Sequence, residues 1–115
     1  MLRGDIWQVD FNPAQGSAAN KQRPAVVVSN DRANAAATRL RRGVITVVPL
    51  TSKVTKIYPF QVFLPAATTG LTVDSKAQAE QIRSVALERL RGRIGRLSAA
   101  QLSELDQALR LHLEL

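Results

Sequence analysis

The sequence has no cysteine, a single histidine and few aromatic residues among its 115 positions. The absence of cysteine excludes disulfide bonds, thiolate nucleophiles and cysteine-based zinc sites. Hydrophobic residues make up 45% of the chain, but only 4% are aromatic, so the apolar side chains are mostly small and aliphatic. We therefore expect a modest aliphatic core, part of which could be buried between subunits.

The sequence also has no long hydrophobic run. Aliphatic stretches such as Ala25–Val28 fall far short of the roughly 20 residues that a membrane-spanning helix requires. The first residues lead directly into a strand-like pattern, without the apolar segment of a signal peptide. The chain is too short for a second core. We therefore expect one cytoplasmic domain over residues 1–115, with no membrane partner.

Acidic residues are outnumbered by basic ones. There are 16 lysines and arginines, mostly arginines, against 9 aspartates and glutamates, and the net charge is +7. The excess lies in residues 1–97, which carry a net charge of +9, whereas residues 98–115 carry −2. Arginine binds phosphate through two parallel hydrogen bonds, so this balance favours a nucleic-acid partner. The alternative from charge alone is a basic surface that only maintains solubility.

Short strand patterns with turn residues between them dominate the chain. Val73–Ser84 could hold one or two strands, and the other predicted strands are Asp5–Phe11, Ala25–Ser29 (buried on both faces), Gly43–Pro49, Tyr58–Leu64 and Ile94–Leu97. Asn30–Arg42 is predicted as one helical turn and a loop. The C-terminus is predicted as a helix with a Ser98–Gln101 capping box and with one apolar face formed by Leu102, Leu105, Leu109 and Leu113. Together these patterns predict a small β-barrel with helical additions.

Three segments, taken in order, resemble the MazF family of toxin–antitoxin endoribonucleases. They are Gly4-Asp5-Ile6-Trp7 with Asp10-Phe11-Asn12-Pro13 and Gly16-Ser17; Arg23-Pro24-Ala25-Val26-Val27-Val28-Ser29; and Val48-Pro49-Leu50-Thr51-Ser52 with Tyr58-Pro59-Phe60. A weaker fourth segment covers residues 79–84. The resemblance implies a mainly β, SH3-like barrel with a C-terminal helix, which works as a homodimer and needs no cofactor or metal. It also implies two partners for one surface: single-stranded mRNA, and the acidic C-terminal segment of a cognate MazE-like antitoxin.

The resemblance implies sequence-specific RNA cleavage, in which the RNA's own 2′-hydroxyl attacks the adjacent phosphorus. The products are a 2′,3′-cyclic phosphate or 3′-phosphate and a 5′-hydroxyl. A base for the 2′-hydroxyl, cationic donors for the phosphoryl oxygens and an acid for the leaving oxygen would all assist. Two histidines could serve as base and acid, but the only histidine, His112, lies in the predicted C-terminal helix, away from every motif. We do not assign it a catalytic role.

The resemblance makes Arg23 and Thr51 the leading catalytic candidates. Arg23 matches the arginine of the family's Arg-Pro motif, and its guanidinium can stabilise charge on two phosphoryl oxygens. Thr51 matches a threonine whose hydroxyl orients the phosphate. Glu80 matches an acid that supplies the base in one branch of the family, and a structural role is about equally supported. That branch has an arginine where this chain has Gln78.

The remaining candidates are assigned to substrate binding. The loop before Arg23 departs most from the family pattern, because Ala18 stands where relatives often have an acid. Asp5 could be a binding or a structural acid, and Trp7 could stack on a base, although a core position is more usual for it. The predicted substrate-binding residues are Gly16, Ser17, Gln22, Ser52, Lys53, Lys56 and Gln78.

Two other functions share the predicted fold. Relatives with the same barrel poison DNA gyrase without cutting nucleic acid, but they lack this arrangement of Arg-Pro and Thr-Ser. A non-catalytic RNA-binding module would keep the barrel and its charge, and Ala18 and Gln78 keep that alternative open.

Overall fold

The computed structural model describes residues 1–11 and 22–115. The predictions for Gly16, Ser17 and Ala18 lie outside these ranges. The described residues form two 3-10 turns, Ala79–Gln81 and Leu87–Arg89, and three α-helices: α1 (Asp31–Leu40), α2 (Ala66–Thr69) and α3 (Ala99–Leu113). They also form seven strands: β1 (Asp5–Asp10), β2 (Gln22–Val27), β3 (Val44–Thr51), β4 (Gln61–Leu64), β5 (Ser75–Gln78), β6 (Arg83–Ala86) and β7 (Leu90–Arg96).

The strands form one antiparallel sheet in the order β4-β5-β3-β2-β1-β7, and β6 pairs with β3 beside this path. Strand β3 is the pivot, because its first half pairs with β6 and its end pairs with β5. The mainly β fold with a C-terminal helix is confirmed. Within the described residues, however, no hydrogen-bonded pair joins the two edge strands, β4 and β7, so the sheet is not a closed barrel.

The prediction that residues 25–29 are buried on both sides is confirmed for the part in β2. Successive side chains of a strand point to opposite faces, and here each face has a core. Val26 belongs to the first core, with Ile6, Val48, Leu64 and the buried face of α3. Val27 belongs to the second core, whose other buried residues are Val9, Ala25, Ala37, Ile45, Val47 and Val85.

The prediction of one helical turn in residues 30–42 is wrong, because α1 runs for ten residues. Asn30 caps the helix by accepting from the Ala33 amide at 2.8 Å, and the alanine- and arginine-rich sequence that follows has high helix propensity. The buried Asn34 donates to the Ser29 carbonyl at 2.9 Å and so ties α1 to the end of β2. These local signals outweigh the lack of a strong apolar face.

The capping box of the C-terminal helix is confirmed, since Gln101 and Ser98 bond to each other's backbone amides. Leu105 and Leu109 are buried as expected, but Leu113 is 44% exposed. The last buried position of α3 is Leu109, so the predicted apolar face extends further than the core it covers. No helix among the described residues has the length and hydropathy needed to cross a membrane.

The strand predicted from Tyr58 begins only at Gln61. The Gln61 side chain accepts from the Tyr58 amide at 3.1 Å, and the Gln61 amide donates to the Tyr58 carbonyl at 2.9 Å. These two bonds close a turn before β4, and they fix the end of the segment that connects β3 to β4.

Candidate active site

Arg23 and Thr51 lie at neighbouring strand ends. Strands β2 and β3 are paired with Ala25 opposite Pro49, and the same register places Arg23 opposite Thr51. Opposing residues of an antiparallel pair project to the same face. The two residues that the resemblance nominated from separate motifs therefore share one face and one end of the sheet, and both are half-buried.

An open pocket of about 370 Å³ lies at this end of the sheet. It brings together most of the predicted site residues from the two strand ends. Among the described residues, its lining includes two cations and no carboxylate, and neither cation forms an ion pair with a described residue. The lining residues are Gln22, Arg23, Pro24, Leu50, Thr51, Ser52, Lys53, Leu71, Thr72, Val73 and Ser75.

Within the described part of the chain, the Thr51 hydroxyl has one hydrogen-bond partner. It accepts from the Lys53 amide at 3.3 Å, which is the turn-stabilising role expected of a threonine at a strand end. A hydroxyl that accepts in this way keeps its own O–H for donation. Thr51 can therefore stabilise the turn and donate to an anion in the pocket at the same time.

Glu80 and Gln78 lie outside the pocket, in a polar cluster beside β4. Gln61 donates from Nε2 to Glu80 Oε2 at 2.8 Å. The other side-chain oxygens, Glu80 Oε1 and Gln78 Oε1, are buried and have no hydrogen-bond partner among the described residues. Glu80 thus contacts the segment between β3 and β4 through Gln61, and its catalytic role stays a prediction.

Lys76 is a residue that the sequence reasoning missed. It lies opposite Thr51 in the β3–β5 pair, so it projects to the same face. Its ammonium donates to the Lys56 carbonyl at 2.7 Å. In the sequence Lys76 is one basic residue in a polar run, and only the strand register shows that it adjoins the pocket.

Lys56, a predicted substrate-binding residue, also lies outside the pocket. Its ammonium is 4.7 Å from the centroid of the Tyr58 ring, and that ring stacks on Phe60 with centroids 5.3 Å apart. Lys56 and Lys53 both belong to the segment that leaves the pocket and returns to β4. The structure therefore places the two lysines on one connection but not in one pocket.

Asp5, Trp7 and His112 lie outside the pocket. Asp5 is buried, accepts from the Leu2 amide at 2.9 Å and lies 3.5 Å from Arg93 and 3.6 Å from Arg96. Trp7 packs against the second core, which favours the core interpretation. His112 is exposed in the last turn of α3. The described residues contain no group of three or more side chains able to hold a metal ion.

A second pocket of about 310 Å³ lies where β1 ends near β6. The Arg83 guanidinium lies 5.0 Å from the Phe11 ring centroid. Asp10 forms ion pairs with Arg91 at 2.9 Å and with Arg89 at 3.9 Å. Arg89 and Arg91 are thus paired with the Asp10 carboxylate. The cations of the first pocket have no such ion pair among the described residues.

Comparisons with known proteins show which family and which fold the chain is similar to. A family model described as a PemK-like, MazF-like toxin of type II toxin-antitoxin systems matches residues 2–113. The chain is 73% identical over all 115 residues to a Mycobacterium tuberculosis protein named endoribonuclease MazF9, of which the match covers 98%. A Deinococcus radiodurans MazE-MazF structure matches with TM-score 0.78 and 27% identity, covering 100% of this chain and 96% of that one. A mycobacterial endoribonuclease solved with its cognate antitoxin matches with TM-score 0.72 and 22% identity, covering 100% and 96%.

Proposed function

The chain belongs to the PemK-like, MazF-like toxin family of type II toxin–antitoxin systems, and we propose from this premise that it is a metal-independent endoribonuclease. Its substrate is single-stranded mRNA, which it cuts at specific sequences in the cytoplasm. The observation that carries the proposal is the pocket in which Arg23 and Thr51 meet Ser52 and Lys53 without any described carboxylate. Such a pocket attracts a phosphodiester and can stabilise added negative charge on it.

The reaction is an internal transfer at phosphorus. The ribose 2′-oxygen bonds to phosphorus while the bond to the 5′-oxygen breaks, the 2′-hydroxyl loses its proton and the leaving oxygen gains one. Arg23 donates two hydrogen bonds to the phosphoryl oxygens, where negative charge grows in the transition state. Arg23 has five N–H donors and no acceptor, so it acts through charge and hydrogen bonding.

Thr51 and its neighbours hold the strand for this attack. The Thr51 hydroxyl donates to a phosphoryl oxygen while it accepts from the Lys53 amide. In-line attack requires a backbone that can rotate, which favours unpaired RNA. Ser52, Lys53 and Gln22, all exposed at the pocket, bind the flanking sugar-phosphate groups.

We propose that a cognate antitoxin inhibits the enzyme by covering the same surface. Two structural relatives were solved with MazE or with a cognate antitoxin. Residues 1–97 carry a net charge of +9, which suits an acidic C-terminal peptide as well as RNA. Such a peptide would fold on binding and exclude the substrate by competition.

The active form is a homodimer. Leu40 at the end of α1 and Val44 at the start of β3 are both more than half exposed, and a second copy of the chain would cover these apolar side chains. Light scattering during gel filtration measures the molar mass in solution. For a dimer we expect about twice the 12.6 kDa of one chain.

The activity is tested by incubating the purified chain with a long single-stranded RNA in EDTA and mapping the ends of the products. We expect cuts at discrete sequences with 2′,3′-cyclic phosphate or 3′-phosphate ends on one side and 5′-hydroxyl ends on the other. Intact RNA, or cleavage that appears only when a divalent metal is added, would contradict the proposal. A parallel incubation with gyrase and supercoiled DNA tests the same-fold alternative, which predicts DNA breaks and intact RNA.

A further inference from the structure

Lys76 is a buried cation without an anionic partner among the described residues. Its side chain is only 8% exposed, although it lies one strand from the pocket. An ammonium has three N–H donors. The Lys56 carbonyl accepts one of them at 2.7 Å, and the described residues supply no acceptor for the other two. Buried charges are normally paired, so this position favours an anion from outside the fold.

The ammonium of Lys56 lies at the same aromatic ring, that of Tyr58, as the ammonium of Lys76. The Tyr58 ring centroid is 5.8 Å from the Lys76 ammonium and 4.7 Å from the Lys56 ammonium. Aromatic faces attract cations, which explains how one ring holds two like charges. Ring attraction does not neutralise those charges, however, and no described carboxylate forms an ion pair with either lysine.

The arginines at the opposite edge of the sheet behave differently. Arg91 pairs with Asp10, and Arg93 and Arg96 both approach Asp5. Among the described residues, carboxylates therefore lie beside the cations of β7 but not beside the two lysines at Tyr58. The uncompensated pair adjoins the pocket because Lys76 lies directly opposite Thr51.

We propose that Lys56, Lys76 and Tyr58 form a second phosphate subsite, which binds the phosphodiester of a nucleotide flanking the one that is cut. The inference rests on the proposed ribonuclease function. Lys56 contacts the phosphate from the exposed segment, and Lys76 adds its charge from beneath. Tyr58 is 41% exposed and stacks on Phe60, so the subsite also offers an aromatic surface to the neighbouring base, a combination typical of single-strand binding.

The test is equilibrium binding of a short fluorescent RNA that spans a mapped cut site. The RNA carries 2′-O-methyl groups throughout, so that no free 2′-hydroxyl can attack. Anisotropy is measured from 50 mM to 1 M KCl for the wild type, Lys76→Met, Lys56→Met and the control Arg110→Met. Arg110 is an exposed cation of α3, which packs on the first core, on the opposite face of the sheet from Lys76.

Each lost phosphate contact reduces the slope of log affinity against log salt by about 0.7 for single-stranded nucleic acid. We therefore expect Lys76→Met and Lys56→Met each to lower the slope by that amount. The loss of affinity relative to the wild type is then about eightfold larger at 50 mM than at 1 M KCl. Arg110→Met leaves the slope unchanged. Under cleavage conditions the two lysine variants raise KM and change kcat little, and Lys76→Arg restores most of the wild-type affinity.

Unchanged slopes in both lysine variants overturn the subsite. Should Lys76→Met fail to fold, as judged by circular dichroism, Lys56→Met decides alone because Lys56 is exposed. The same salt titration with a poly-glutamate peptide tests an acidic peptide as the alternative anion. If the lysine variants lower the slope for the peptide and not for the RNA, the RNA subsite is overturned. If the wild type cuts unmodified RNA and the variants keep the wild-type slope, only the subsite is refuted. If the variants lower the slope but the wild type never cuts unmodified RNA, only the ribonuclease function is refuted. If the wild type does not bind the RNA at all, both proposals are refuted.

Discussion

Arg23 and Thr51 face each other when the register of β2 and β3 is continued two residues past the buried pair of Ala25 and Pro49. The sheet register thus joins two polar residues that are separated in sequence by helix α1 and by most of β2 and β3. A guanidinium and a hydroxyl on one face, at one strand end, suit an anion that gains charge during the reaction.

We predict that Thr51→Val lowers kcat about tenfold to a hundredfold and leaves KM within about threefold, since one neutral donor to the transition state is lost. The change keeps the side-chain shape and removes the hydroxyl. Thr72→Val is the matched control, because Thr72 lines the same pocket from the segment before β5. Single-turnover cleavage assays compare the two variants. Equal losses in both would show that the Thr51 hydroxyl has no special part.

Glu80 has two alternative roles, and its contacts favour positioning the segment between β3 and β4 over the transfer of a proton. Its Oε2 accepts from Gln61 at 2.8 Å, and its Oε1 is buried outside the pocket. Glu80→Gln can still accept from Gln61, so we predict that it retains cleavage within about tenfold of the wild type. A general base contributes about a hundredfold or more, so a loss of that size in Glu80→Gln at unchanged stability would assign the base role to Glu80.

Two glycines of β7 make a matched pair for testing the fold. A Cβ added at Gly95 would lie 1.9 Å from the Thr69 carbonyl oxygen, whereas one added at Gly92 would meet nothing within 4 Å. We predict that Gly95→Ala lowers the free energy of unfolding by about 3 kcal/mol, since α2 and β7 would have to separate. Gly92→Ala is neutral or stabilises by up to about 1 kcal/mol. Urea unfolding curves measure both, and equal stabilities would contradict the close packing of α2 on β7.

The strands of this fold could largely be predicted from the sequence, because their signals are local. Residues 25–28 are a continuous apolar run that the structure buries between two cores, and Ile45, Val47 and Val48 of β3 lie in the same cores. The long helix α1 was underestimated because its residues favour helix by propensity and capping, without a strong apolar periodicity. The late start of the strand predicted from Tyr58 depends on the two hydrogen bonds between Tyr58 and Gln61, which no periodicity shows.

The site could be predicted only in part. The resemblance supplied Arg23 and Thr51, and the strand register gave them a common face. Lys76 and Gln61 were missed, because their importance lies in contacts with Lys56 and Glu80 that are distant in sequence. A lysine in a short polar strand looks like a solvated residue until its burial is known.

The most direct test of the central claim is the comparison of RNA cleavage and RNA binding in Arg23→Ala. We expect cleavage in EDTA to fall by about a hundredfold to a thousandfold, because the main stabiliser of the transition-state charge is removed. Affinity for the same RNA should weaken by less than about tenfold, since one phosphate contact among several is lost. Cleavage at the wild-type rate by a folded Arg23→Ala would contradict the account and place the reaction outside this pocket.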